Sequence, residues 1–327
     1  MKALIKQTIN AYIATSERQE YVIIQPNYPT FGIFAHFINI LGLLKEEIEK
    51  GNKPYIDLST YKNCYMKDED VGRINTWDLY FEQPFYNVSP KKVGFPIKIG
   101  KDRYMYRNCV IRYNSIYRDR NMLRPEDTMD FLTNEIGLEW WKKFTDTYIR
   151  LNDKTKDHID SLYNQLNMSC EKRILGVLLR GTDYSDNRPK NHPITPTMDQ
   201  AVERIRETVE KNDFDNIFLC TEDSRIEEAI HQEFGNNVII PPQKRVGQVN
   251  GRLLSEIYDE NSERDVYKMG LDYVSAVYLL SRCNALLSSR CGAGVAASVL
   301  GHNYEFTSFW NYGRYITQEY GEIPIIR

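Results

Sequence analysis

The strongest constraint on the fold is a regular alternation of strand and helix patterns in the second half of the chain. Residues 173–179 form an uninterrupted apolar run whose length suits a strand buried on both faces of a parallel sheet. Further strands are predicted at residues 216–220, 237–240 and 285–287. Helices are predicted at residues 198–211, 225–234, 269–282 and 295–300. This order predicts a doubly wound α/β domain, in which ligands bind outside the carboxyl ends of the strands.

The first half of the chain opens with a βαβ pattern. Residues 21–25 are a β-branched run, residues 34–49 an apolar-periodic helix, and residues 55–58 the next strand. The periodicity then weakens until a charged helical pattern resumes at about residue 124. A chain of 327 residues is long enough for two domains. We place an N-terminal α/β domain at residues 1–168 and a C-terminal doubly wound domain at residues 169–327.

Composition excludes several classes of function. The chain has 42 Lys and Arg against 45 Asp and Glu, a net charge of −3 that does not suit an extended nucleic-acid surface. The six cysteines form no C-x-x-C pair, so neither a zinc site nor a redox motif is indicated. No signal-peptide pattern and no apolar stretch of about 20 residues occurs, so no transmembrane segment is expected. We expect a cytoplasmic protein, and attachment to the inner face of the membrane stays open.

The first candidate loop follows the buried strand directly. Arg180 stands at the carboxyl end of that strand, and a guanidinium there matches a phosphate with two parallel hydrogen bonds. Asp183 is placed to brace Arg180, although an ordinary ion pair at the sheet edge would have the same pattern. Asp186 and His192 continue the same connection, which makes them candidates for the site as well.

Two further loops are expected at the same edge. One carries Thr221, Glu222 and Asp223 at a strand end and a helix start, where Asp is also a common helix cap. The other carries Ser288, Ser289 and Arg290 and leads into a helix N-terminus, which favours phosphate binding. It contains neither a P-loop nor a dinucleotide fingerprint. The acidic residues 68–70 are interpreted as solvated, and no metal ligand is assigned.

Aromatic residues crowd together at residues 77–86, in a chain that contains 23 Tyr, 13 Phe and 4 Trp. Such a stretch is either core packing or a surface that stacks on sugar rings, and the sequence leaves both open. Under the second interpretation, Trp77, Tyr80, Phe81 and Tyr86 would line a cleft between the domains.

Several motifs together resemble a known family. They are residues 175–183 (LGVLLRGTD), 192–194 (HPI), 217–223 (IFLCTED), 279–283 (LLSRC) and 288–290 (SSR). In this order they resemble the GDP-fucose-dependent fucosyltransferases, in particular the core α1,6 and NodZ-type enzymes. The resemblance covers residues 173–300, and in the first half it is limited to the turn and helix at residues 32–39.

The resemblance implies a GT-B fold, with two Rossmann-like domains facing each other across a cleft. It implies an inverting, metal-independent transfer of fucose from GDP-fucose to a glycan, with the GDP-sugar as donor substrate and no cofactor. Arg180 takes the position that binds the donor β-phosphate, whereas Gly181 stands where the family has a second arginine. Arg290 is the candidate for the missing contact.

The remaining site residues follow from the same resemblance. The family's proposed general base falls on Arg188, so Asp186 is the nearest substitute and Asp183 the second candidate. Asp272 is assigned to the binding of guanine. His192 and the named residues of the second and third loops are assigned to the binding of the donor. His36, Trp77 and Tyr80 are assigned to the acceptor.

Two alternatives remain open. One is transfer of another nucleotide-activated sugar in surface-polysaccharide synthesis. The other is a non-catalytic sugar- or nucleotide-binding relative, which the change at Arg188 favours.

Overall fold

The computed structural model describes residue 7 and residues 21–26, 32–60, 62–85, 92–99, 103–106, 109–114, 135–190, 192–252, 254, 257 and 265–315. Within these ranges the chain forms two five-stranded sheets with helices between the strands. The predicted α/β class is therefore confirmed.

The first sheet is mixed. Strand β1 (Tyr21–Pro26) pairs in parallel with β2 (Lys53–Ile56) and β5 (Val110–Asn114), while β4 (Arg103–Met105) runs antiparallel to β5 and to β3 (Ile97–Lys98). The order in space is β2-β1-β5-β4-β3. The predicted βαβ unit is confirmed, with helix α1 (Ile33–Glu49) between β1 and β2. The strands β3 to β5 were not predicted, because short strands with partly exposed faces leave a weak periodic signal.

The second sheet is wholly parallel. It contains β6 (Ile174–Leu178), β7 (Asn216–Cys220), β8 (Val238–Ile239), β9 (Ala285–Ser289) and β10 (Thr307–Trp310), in the spatial order β10-β9-β6-β7-β8. Every residue of β6 is buried, as its apolar run predicts. This is the strand order of a dinucleotide-binding domain, and its topological switch point lies between β6 and β9. Strand β10 was not predicted.

The other helices largely match the predicted periodicity. They are α2 (Glu135–Tyr148), α3 (Asp153–Gln165), α4 (Thr182–Asn187), α5 (Met198–Asn212), α6 (Ser224–Phe234), α7 (Val266–Leu280) and α8 (Gly292–Leu300). Helix α4 lies inside a segment predicted to be a loop. Helix α8 begins at Gly292, three residues earlier than predicted.

Apolar side chains from both halves of the chain meet in one buried cluster. Phe34 and Trp77 belong to it, as do Val274 and Val295 from the second half. The first turns of α1 and α8 are in direct contact, since a Cβ added to Gly292 would lie 3.2 Å from the backbone of Phe34 and Ala35. The turn that leads into α1 is thereby brought against the start of α8.

Three rings of the aromatic stretch, Trp77, Tyr80 and Phe81, belong to this core, whereas Phe85 is 37% exposed. Trp77 and Tyr80 are 0% exposed and Phe81 is 1% exposed, and the rings of Trp77 and Phe81 stack at 4.4 Å. The Tyr80 hydroxyl donates to the carbonyl of Tyr267 over 3.1 Å. The expectation that these three rings line a cleft is therefore wrong, because packing against one another and against α7 removes them from solvent. Tyr86 lies outside the described residues.

No helix in the described ranges is long and apolar enough to cross a membrane. All six cysteines are free thiols, and of them Cys170 is exposed.

Candidate functional site

Three chain segments converge at the carboxyl edge of the second sheet. Arg180 follows β6, Glu222 follows β7, and Ser289 ends β9. The Arg180 N–H donates to Ser289 Oγ over 3.1 Å, and the Gly181 N–H donates to Glu222 Oε1 over 2.9 Å. The three strand ends predicted to form one site are thus joined by direct hydrogen bonds at the switch point.

Arg180 is held from three sides. Its Nη2 donates to Asp183 Oδ1 over 2.6 Å, and its Nη1 lies 3.1 Å from Glu222 Oε2. The guanidinium also lies over the ring of Tyr184, 4.6 Å from the ring centre, a favourable cation–π geometry. Burial lowers the pKa of Arg180, but the neighbouring carboxylates outweigh it and leave the pKa raised. Arg180 is therefore a fixed, permanent cation at this edge, and Asp183 braces it as predicted.

Glu222 is the second buried carboxylate in contact with Arg180. Its side chain is 10% exposed, and its Oε1 also accepts from the Thr182 hydroxyl over 3.0 Å. Burial raises the pKa of Glu222, and the attraction of Arg180 offsets only part of this. Glu222 therefore holds a proton more readily than an exposed carboxylate does.

Asp223 and Thr221 hold the second loop together. Asp223 caps helix α6, where its Oδ1 accepts from the Arg225 N–H over 2.9 Å, and its Oδ2 accepts from the Thr182 N–H over 2.8 Å. Burial raises the pKa of Asp223, but the hydrogen bonds from Arg225 and Thr182 outweigh it and lower the pKa. Thr221 Oγ1 accepts from the Asp223 N–H over 3.2 Å. The capping interpretation therefore accounts for Asp223.

Gly181 is required by close packing. A Cβ at this position would lie 2.4 Å from Asp223 Oδ2 and 2.8 Å from Ile226 Cδ1. The position that the resembled family fills with a second arginine is here closed by α6, so this backbone leaves no room for that side chain.

The candidate general base is engaged in an ion pair. Both carboxylate oxygens of Asp186 lie 3.1 Å from Arg225 Nη2, and the Asp186 side chain is 29% exposed. Arg188, which takes the position of the family's base, ends helix α4 in the left-handed conformation with φ of 44°.

His192 contacts Tyr184, the residue whose ring lies against the Arg180 guanidinium. Its ring meets Tyr184 edge-on at 5.2 Å, and its Nδ1 lies 3.3 Å from the Lys190 carbonyl. Its carbonyl accepts from the Tyr315 N–H over 3.0 Å, which ties this connection to the segment after β10.

The third segment is more compact than predicted. Ser288 and Ser289 belong to β9, so that only Arg290 and Cys291 connect the strand to α8. The Ser288 hydroxyl donates to the Ser289 carbonyl over 2.8 Å. Arg290 is 7% exposed, and its Nη1 donates to Asn311 Oδ1 over 2.5 Å. Arg180 and Arg290 therefore follow the two strands that flank the switch point, and α8 begins directly after Cys291, an arrangement suited to an anion.

Two other predicted residues lie elsewhere. Asp272, on α7, accepts from Lys268 Nζ on both carboxylate oxygens, over 2.8 and 2.6 Å. His36 is 2% exposed within α1. Like Trp77 and Tyr80, His36 offers an acceptor no accessible surface, because the hydrophobic side of α1 packs into the core.

Three residues next to the site were missed by sequence reasoning. Tyr184 lies under the Arg180 guanidinium, Asn311 bonds Arg290, and Tyr273 contacts Phe34 edge-on at 5.2 Å. Burial raises the pKa of Tyr273, which also lies in the fields of Cys291 and Arg180. The one signal in the sequence for the contact between Tyr184 and Arg180 is their spacing of four residues. Asn311 follows a strand that periodicity did not reveal.

The acidic residues 68–70 form an exposed 3-10 turn, in which Asp68 pairs with Lys62 at 2.8 Å. Across the described ranges, no group of three or more His, Cys, Asp or Glu side chains is arranged to hold a metal ion.

Comparison with known proteins gives a structural likeness only. No family profile and no curated protein sequence matches the chain. A mutant of Arabidopsis thaliana FUT1 in complex with GDP is 11% identical, with a TM-score of 0.51 over 94% of this chain and 74% of that one. Fucosyltransferase NodZ from Bradyrhizobium is 13% identical, with a TM-score of 0.47 over 83% of this chain and 88% of that one. POFUT1 in complex with GDP is 11% identical, with a TM-score of 0.47 over 89% of this chain and 98% of that one.

At such low sequence identities, the structural likeness is evidence for the fold and not for the function. The resemblance to fucosyltransferases that the motifs predicted is confirmed at that level: the chain shares its fold with the fucosyltransferase FUT1 of Arabidopsis thaliana.

Proposed function

We propose that the chain is a glycosyltransferase that transfers fucose from GDP-fucose to a glycan. The observation that carries this proposal is Arg180, held as a cation at the switch point beside Ser289 and near Arg290. A donor diphosphate at this edge would meet a guanidinium and the N-terminus of α8. The motif resemblance favours guanosine, as does the fold shared with the FUT1 mutant, whose structure is a complex with GDP.

We further propose that the two α/β halves, residues 1–168 and 169–327, face each other in a GT-B arrangement with the glycan between them. The acceptor hydroxyl attacks the anomeric carbon from the face opposite the diphosphate, which inverts the configuration. Arg180 stabilises the charge that develops on the leaving diphosphate, in place of a metal ion. The six free thiols support a cytoplasmic location.

A carboxylate must take the proton of the acceptor hydroxyl. Asp186 is the first candidate because it is partly exposed, and Asp183 is the second. To act as the base, Asp186 has to free one oxygen from Arg225.

The ion pair between Asp186 and Arg225 favours the non-catalytic alternative, because it occupies both oxygens of the candidate base. Under that alternative the protein binds the donor but never releases GDP. Transfer of a different nucleotide-activated sugar would instead show a different donor preference.

Measurements of donor binding and of turnover distinguish fucose transfer from the transfer of another sugar and from the non-catalytic alternative. Thermal-shift measurements with GDP-fucose, GDP-mannose, UDP-glucose and ADP-glucose should show stabilisation by GDP-fucose above the others. GDP release in the presence of a glycan panel then tests catalysis. Binding without release under all conditions would support the non-catalytic alternative.

Arg180→Ala should abolish both signals. The matched control is Arg173→Ala, at the opposite end of β6, where Arg173 forms an exposed ion pair with Glu305 at 2.9 Å. Near-normal donor binding by Arg180→Ala would contradict the proposed site.

A further inference from the structure

The ion-paired cluster around Arg180 carries no excess positive charge before any ligand arrives. Arg180 supplies one positive charge, and Asp183 and Glu222 supply two negative charges when both are ionised. One positive charge against two negative charges leaves a net charge of −1. A diphosphate that enters this crevice adds negative charge to a site with no net positive charge to receive it.

Burial makes this imbalance costly. Glu222 is 8% exposed and the Arg180 side chain 15% exposed, so solvent screens the charges weakly. A phosphate that shares Arg180 with two carboxylates would be repelled by both of them at short range. Neutralising one carboxylate removes the repulsion that this carboxylate contributes.

We propose that Glu222 takes up one proton when the diphosphate of a sugar nucleotide binds beside Arg180. This inference rests on the proposed donor. The proton comes from the solvent and forms an O–H bond on the carboxylate, and no other bond is made or broken. Oε1 already accepts from the Gly181 N–H and the Thr182 hydroxyl, so the proton belongs on Oε2, the oxygen facing Arg180.

Glu222 is better placed for this role than Asp183. Asp183 lies 2.6 Å from Arg180, compared with 3.1 Å for Glu222, so its charge is compensated more closely. In addition, burial already raises the pKa of Glu222 more than Arg180 lowers it.

The groups that face Glu222 from the surrounding elements do not compete for this proton. Burial raises the pKa of Cys220 to about 12, and it also raises the pKa of Tyr273 and Cys291, so all three stay neutral near neutral pH. Among the described residues, the charged and titratable groups that interact with Glu222 include Arg180, Asp183, Cys220, Tyr273 and Cys291, and the charge of Arg245 acts on the neighbouring Cys220.

The direction of the pH dependence follows. The bound diphosphate raises the pKa of Glu222 above its value in the free protein. At a pH between these two pKa values, the complex therefore holds a proton that the free protein lacks. In that window the affinity for the donor falls by about tenfold for each pH unit of increase. Below the pKa of the free protein, both states are protonated and the affinity becomes independent of pH.

Isothermal titration calorimetry with GDP-fucose counts this proton. The heat is measured at one pH near neutrality in PIPES, imidazole and Tris, and its slope against the buffer ionisation enthalpy gives the number of protons taken up. GDP-fucose is the correct probe because both ends of its diphosphate are esterified. Free GDP carries a terminal phosphate that titrates at a pKa of about 6 and would add its own protons.

We expect a slope approaching one proton for the wild-type protein when the pH lies within the window, and no slope for Glu222→Gln. The glutamine amide mimics the protonated carboxyl, and its oxygen can keep the hydrogen bonds from Gly181 and Thr182. His302→Gln is the matched control and should keep the slope, because His302 pairs with Asp146 beyond the C-terminal end of α8 and lies outside the proposed donor site. The wild-type affinity measured across pH provides a second test that needs no variant.

The outcomes separate the two proposals. GDP-fucose binding with no proton uptake and no pH dependence in the wild-type protein would overturn this inference alone. So would a slope that persists in Glu222→Gln or disappears in His302→Gln. A folded wild-type protein that does not bind GDP-fucose would overturn the proposed function together with this inference.

Discussion

The backbone N–H of Arg180 donates to the Oγ of Ser289 over 3.1 Å, which joins the ends of two strands separated by more than a hundred residues in sequence. Strands β6 and β9 are neighbours in the sheet, with Leu178 opposite Ser288. The hydrogen bond continues their pairing one step beyond the sheet. It fixes where the Arg180 guanidinium stands relative to the start of α8.

Ser289→Ala tests this bond. The substitution leaves the Arg180 N–H without its acceptor at a partly buried position, and we expect a loss of about 1–3 kcal/mol in the free energy of unfolding together with weaker donor binding. Urea denaturation and thermal-shift measurements with GDP-fucose measure the two effects. Ser169→Ala, on the segment that precedes the amino end of β6, removes a half-buried hydroxyl and should change stability by less than about 0.5 kcal/mol. Equal effects of the two variants would show that the bond has no special role.

Gly181→Ala tests the close packing under the first loop. The new methyl group would lie 2.7 Å from the Cβ of Asp223 and 2.8 Å from Ile226 Cδ1, so one of these elements must move. We expect a loss of about 1–3 kcal/mol in stability. Gly32→Ala is the matched control, since its nearest neighbour atom lies at 3.5 Å, an ordinary contact. A stable Gly181→Ala variant with normal donor binding would show that α6 yields at this point.

Trp77→Ala tests whether the aromatic stretch is core or binding surface. Trp77 is 0% exposed, and its removal should cost about 3–5 kcal/mol of stability, as for other buried aromatic side chains. Trp140→Ala is the control, because Trp140 is 42% exposed and its loss should have a much smaller effect. Chemical denaturation compares them. A stable Trp77→Ala variant that fails only in glycan binding would restore the acceptor role.

Asp223→Asn tests the charge at the cap of α6. The hydrogen bonds from Arg225 and Thr182 lower the pKa of Asp223 in the folded protein, although burial opposes them. Its contribution to stability is therefore present above the pKa of the unfolded chain and is lost as the pH falls through the lower, folded value. We expect Asp223→Asn to be less stable than wild type near neutral pH, with the gap closing in acid.

The control for this prediction is Asp199→Asn, an exposed carboxylate in the first turn of α5. It should change stability little at any pH. A gap between Asp223→Asn and wild type that stays constant from neutral to acid pH would contradict the charge argument.

Much of the second half of the chain was predictable because its signals are local. The apolar run of β6 and the periodicity of α5, α6 and α7 report burial directly, and parallel strands place their carboxyl ends at one edge. The sequence therefore assigns Arg180, Glu222 and Ser289 to one edge. The hairpin strands β3 and β4 and the edge strand β10 were missed, because strands of two to four residues with partly exposed faces carry little periodicity.

The sequence by itself determined the α/β class, the strand ends that meet and the resemblance to fucosyltransferases. Only the tertiary structure decided that Trp77, Tyr80 and His36 are core residues, since burial depends on which faces of distant elements meet. It also decided that Arg180 shares its charge with Glu222 as well as Asp183, and that α6 fills the space beside Gly181. These are contacts between residues far apart in sequence, and the free energy of such a contact depends on the distance and solvent exposure that folding creates.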